Sequence, residues 1–152
     1  RYLAEKYQPG CYPPTDSQKR AIIDWALDRF ASALYPDVVK VLYPIMGFAP
    51  EPADKAAAAE ECLKHLTGFT ELFLRDKFVA GTKLTIADFK IAPFLFLFSN
   101  EEVEKVSGVV APKRVKGYCV DYMASVPAAS MLKSAGGFSV KEFTEQKIRE
   151  KS

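Results

Sequence analysis

Little in this chain of 152 residues can hold a metal or a redox bridge: there is one histidine, His65, and there are three cysteines, Cys11, Cys62 and Cys119. An odd number of widely separated cysteines argues against a disulfide framework and against the clustered spacing of a zinc site, and fits a reducing, cytoplasmic setting. His65, beside Lys64 on an alternately charged helix, reads as solvent-facing and not as a ligand. No block of one charge sign occurs either. The net charge is +2 and no basic run is longer than Lys113-Arg114, so the electrostatic footprint of a nucleic-acid binder is absent. The longest apolar run, Ile91 to Phe98, falls far short of the ~20 residues needed to span a bilayer. Strand-like alternation is missing throughout, which leaves an all-α class.

What remains is a chain with 49% hydrophobic residues, enough for one domain that buries roughly two-thirds of its unfolded surface. The opening "RYLAEKY" is helix-like but too short to stand alone, and reads as the last turns of a longer helix. It carries neither an initiator Met nor a basic-then-apolar leader, and the expectation is of further residues before Arg1. Pro9, Gly10, Pro13 and Pro14 then mark a linker.

A first long helix is expected from near Asp16, with Thr15 and Gln18 as its capping box. Its apolar residues Ile23, Leu27, Phe30, Leu34, Val38, Val41 and Ile45 share one face, with a kink at Pro36. Trp25, near Ile22, is assigned to the core. Residues 54–75 predict a second helix, 112–125 a weaker one, and 140–151 a charged last helix. The whole predicts a bundle of about five to six helices.

The informative stretch is Lys77 to Phe98, where a polar turn meets an almost wholly apolar helix. A buried helix start leaves N–H groups without water. Thr85 as N-cap and Asp88 three residues on can close a reciprocal capping box, with Leu84 and Phe89 as a hydrophobic staple, so the helix behind them is expected at the centre of the bundle.

Phe78-Val79-Ala80-Gly81, a short loop, and Leu84-Thr85-Ile86-Ala87-Asp88-Phe89 together resemble the capping box and staple of the helical C-terminal domain of cytosolic glutathione transferases. "RYLAEKY" is similar to the end of that family's thioredoxin-like domain, and "YPPTDSQKRAIIDW" to its linker and the entry of the next helix. The likeness runs to about Asn100; Pro93 departs from it. The domain order it implies is 1–7 as the end of a thioredoxin-like domain, 8–15 as linker and 16–152 as the helical domain.

By that resemblance the glutathione-activating residue belongs to the other domain, so no catalytic residue, metal or further cofactor is assigned here. Glutathione would be a cosubstrate held mainly by the other domain. Tyr35, Val38, Leu42 and Tyr43 match the positions that line the pocket for a hydrophobic electrophile, with Phe138 and Phe143 as candidate lid residues. The intact protein would be a homodimer, or a subunit of a larger assembly. Trp25, Pro36 and Pro44 also resemble plant-type transferases and the gamma subunit of the translation elongation factor one complex, which implies a noncatalytic scaffold as the alternative.

Overall fold

The computed structural model describes residues 1–126 and 140–151, the last helix by its backbone alone at residues 140–144 and 151. Among the described residues the regular structure is eight α-helices and one π-helical turn. They are α1 (Tyr2–Tyr7), α2 (Ser17–Arg29), the π turn (Phe30–Leu34), α3 (Tyr35–Met46), α4 (Lys55–Phe73), α5 (Ile86–Phe98), α6 (Glu101–Ser107), α7 (Lys113–Ser125) and α8 (Val140–Lys151). The all-α class stands, with more pieces than the five to six helices expected from periodicity. Two differences account for this: the first long helix is divided by the π turn, and α6 is too short to give a periodic signal.

The division lies at Pro36. Proline has no N–H to donate and its ring would strike the carbonyl four residues back. The backbone widens by one residue just before it, and the Tyr35 N–H reaches the Phe30 carbonyl five residues earlier. The expected kink is therefore a π turn that keeps the helix continuous. Further along, α3 ends at Gly47, whose φ of +79° is open to glycine without penalty. There the Gly47 and Phe48 N–H groups close onto the carbonyls of Pro44 and Tyr43, the paired bonds of a Schellman end.

The start of α2 corrects the expected cap. Asp16, not Thr15, accepts from the Lys19 N–H at 2.8 Å, because Asp16 is the last residue in non-helical conformation. Asp54 caps α4 in the same way, on the Ala57 N–H at 2.9 Å, and Asn100 caps α6 on the Glu102 N–H.

At the centre lies α5, packed against α2, α6, α7 and α8. Ile91, Ala92, Leu95 and Phe98 on it are completely buried. Trp25 corrects the sequence reading in the opposite sense. It is 52% exposed and lies with its ring edge-on to Phe73, 4.7 Å between centroids, while Ile23 and Ala26 point into the core in its place. Residues 22–26 turn too tightly for all three large side chains to face inward.

Candidate functional site

Two clusters are candidates for a site. The first is the start of α5. The Asp88 carboxylate accepts four hydrogen bonds: from the Thr85 N–H (2.8 Å) and hydroxyl (2.9 Å) on Oδ2, and from the Val79 N–H (2.8 Å) and Tyr118 hydroxyl (3.2 Å) on Oδ1. The Asp88 side chain thus reaches back to the Thr85 N–H, while the Asp88 N–H goes to the Thr85 carbonyl at 3.1 Å. The next N–H, of Ile86, goes to the Cys11 carbonyl in the segment before α2. Burial pushes Asp88 above the ordinary carboxylate value, and the donors around it pull it back.

The Phe78-Val79-Ala80-Gly81 sequence has a local reason. Phe78 and Gly81 exchange both backbone bonds in a tight turn, which aims the Val79 N–H at Asp88. Gly81 sits at φ +125°, and a Cβ there would lie 2.9 Å from Lys19 Nζ, which is itself bonded to the Ala80 carbonyl. The residue pattern thus builds a junction that ties the turn, α5, α7 and the segment before α2 together. Phe89, the expected staple residue, is 46% exposed and meets Tyr122 of α7 edge-on.

The second cluster is an aromatic wall along α3. Tyr35 and Tyr43 lie two turns apart, and their hydroxyls meet at 2.9 Å. That bond, followed by burial, pushes Tyr43 above the ordinary tyrosine value. Phe94 of α5 stands edge-on to Tyr35 at 5.4 Å, and Phe48 edge-on to Tyr43 at 6.0 Å. Both tyrosines are half-buried, whereas Val38 and Leu42 lie fully buried within this chain. Of the four expected pocket residues, two therefore present a surface and two support it from behind. One hydroxyl of the pair donates to the other, which leaves a single O–H free to donate outward. A wall of this kind offers apolar area with one hydrogen-bond donor, and no nucleophile or base.

Behind the wall lies a contact that the sequence reading missed. The Asp37 carboxylate, 2% exposed, has His65 Nδ1 of α4 at 2.5 Å from its Oδ2. His65 thus turns one ring nitrogen to a buried carboxyl group while its side chain stays 28% exposed, where the sequence reading had it simply facing solvent. Only the packing of α3 on α4 brings two residues 28 apart into reach.

The cysteines offer no activated thiol. Burial pushes Cys62 up to about 12 and Cys119 up to about 11. Cys11, partly exposed, is also raised, by burial and then by the Asp88 charge. No group of three or more metal-ligating side chains occurs among the described residues, and no described helix is long and apolar enough to cross a membrane. Of the two candidate lid residues, Phe138 lies outside the described residues, as does the side chain of Phe143.

No family model matches the chain. Among curated proteins it is similar to glutathione S-transferase 1 of Manduca sexta, 34% identical over 92 residues, which is 57% of this chain and 40% of that protein. Among solved structures it is similar to a delta-class glutathione transferase of Nilaparvata lugens, with 25% identity and a TM-score of 0.69 over 96% of this chain and 66% of that one. It is also similar in fold to a glutathione S-transferase of Bombyx mori described as unclassified 2. There the TM-score is 0.70 at 22% identity, over 97% of this chain and 66% of the other. The chain thus spans two-fifths of the curated relative and about two-thirds of the solved chains it matches.

Proposed function

Taking the chain as a helical domain of the glutathione transferase kind, similar in sequence and fold to those proteins, we propose that it supplies the hydrophobic cosubstrate wall of a protein that conjugates glutathione to electrophiles. In this reading residues 1–7 close a thioredoxin-like domain that binds glutathione and lowers its thiol pKa, 8–15 are the linker, and 16–152 are the helical domain. The protein is cytoplasmic and works as a dimer. The observation that carries the reading is the half-exposed aromatic wall on α3, where Tyr35, Tyr43 and Phe94 present apolar surface around one hydroxyl donor.

An electrophile with a flat apolar body and one polar acceptor suits such a wall: the rings remove its apolar area from water, and the free hydroxyl orients the acceptor. Val38 and Leu42 hold the wall rigid from behind. The reaction itself, attack of a thiolate on the electrophilic atom, falls to the other domain.

The test is steady-state conjugation by the whole protein with glutathione and an aryl halide, alongside Tyr35→Phe and Tyr43→Phe variants. The reading expects KM for the halide to rise several-fold with KM for glutathione unchanged. A whole protein that neither conjugates nor binds immobilised glutathione would overturn it in favour of a scaffold.

A further inference from the structure

The junction of the π turn and α3 is where the aromatic wall is set. Tyr35 is the first residue of α3 and its N–H closes the widened turn, Pro36 follows without a donor, and Asp37 comes next. A first turn that follows a π turn and contains proline is short of the bonds that normally hold a helix in register. A side-chain contact ties this turn to α4. Asp37 turns inward, away from water, and its Oδ2 lies 2.5 Å from His65 Nδ1. A carboxylate oxygen only accepts, so the tautomer with the proton on Nδ1 makes this bond, His65 donating and Asp37 accepting.

The other charged group facing Asp37 is Lys40, whose Nζ is 3.8 Å from Oδ1. Lys40 is half in solvent and turned to Glu61 at 3.1 Å. An exposed, flexible ammonium at that range orients a helix weakly. His65 is the short, directional contact.

We propose that His65 is the positioning residue of the aromatic wall. Through Asp37 it fastens to α4 the face of α3 that points away from Tyr35, and so sets the side on which Tyr35 and Tyr43 are presented. The positioning part stands on geometry alone; its consequence for an apolar ligand rests on the function proposed above.

The experiment uses the whole protein labelled with 3-fluorotyrosine, with the 19F resonances of Tyr35 and Tyr43 assigned by Tyr35→Phe and Tyr43→Phe. His65→Ala is expected to shift both resonances toward the position of free tyrosine while that of Tyr12, bonded to Asp24 of α2 at 2.7 Å, stays in place. His65→Asn, whose side-chain amide can donate from nearly the position of Nδ1, is expected to restore them. His65→Gln, with its donor displaced by a further carbon, is not.

A second readout is the binding of an anionic naphthalene dye to the same variants. The expected result is an affinity reduced at least threefold in His65→Ala and recovered in His65→Asn. Resonances of Tyr35 and Tyr43 left unmoved in a folded His65→Ala would overturn the proposal, as would an Asn variant that behaves like Ala. Shifted and rescued resonances with unaltered dye binding would uphold the positioning role and count instead against the wall as a ligand surface.

Discussion

Replacing Asp88 by Asn changes almost no volume, yet it should be one of the costliest single substitutions in the chain. The carboxylate offers two acceptor edges, and each edge takes one backbone N–H and one hydroxyl: Thr85 N–H and Oγ1 on Oδ2, Val79 N–H and Tyr118 Oη on Oδ1. An amide has a single oxygen. Whichever way it turns, its NH2 faces one of the two backbone donors. A hydroxyl on that edge can rotate and accept, but a backbone N–H cannot.

One N–H is therefore orphaned in a place where Val79 and Thr85 are each 1% exposed. That costs about 1–3 kcal/mol, and exchanging charge-assisted for neutral bonds on the other edge costs about 1 kcal/mol more. The expected total is about 3 kcal/mol, a large fraction of the roughly 5–15 kcal/mol that holds a domain together. Urea unfolding followed by far-ultraviolet circular dichroism measures it, with Asp24→Asn as a partly exposed carboxylate control. An Asp88→Asn midpoint that corresponds to a loss below about 0.5 kcal/mol at unchanged slope would refute the claim that this carboxylate seals the start of α5.

Thr85→Ala keeps the backbone bond to Asp88 and loses only the hydroxyl, so it should cost about 1 kcal/mol, clearly less than Asp88→Asn in the same titration. Tyr118→Phe removes one donor from the same carboxylate and should cost about 1–2 kcal/mol, with a coupling to Asp88→Asn in a double-mutant cycle. Trp25, the one tryptophan, is half exposed; its emission should be quenched by iodide in the folded protein nearly as well as in urea, and a strongly protected indole would contradict its placement. At neutral pH a thiol reagent should react with at most Cys11, because burial holds Cys62 at about 12 and Cys119 at about 11. Two or more thiols titrated without unfolding would count against that burial.

The residue spacings carried much of this architecture. Thr85 and Asp88 are legible because a capping box is local: both partners lie within one helical turn, so chain geometry alone brings them together. The same holds for the starts and ends of α4 and α7, for the apolar stripe through Ile23, Phe30 and Leu34, and for the break that Pro36 enforces. Trp25 and His65 were misjudged for one reason. Each lies beside the stripe of its helix, where the period of 3.6 leaves the side chain at the edge of the buried face, and only the neighbouring helix decides which way it goes. Trp25 found the rim of Phe73; His65 found a carboxylate.

By itself, then, the order of residues determined the all-α class, the buried central helix and the seal at its start, since those depend on interactions within a few residues of one another. What only the tertiary structure decided is which groups arrive from a distance. Val79 and Tyr118 complete the Asp88 shell, the Cys11 carbonyl takes the Ile86 N–H, His65 reaches Asp37, and Val38 and Leu42 fall behind the tyrosines instead of beside them. Such contacts join segments up to tens of residues apart, and no periodicity along one helix encodes the rotation at which another packs against it.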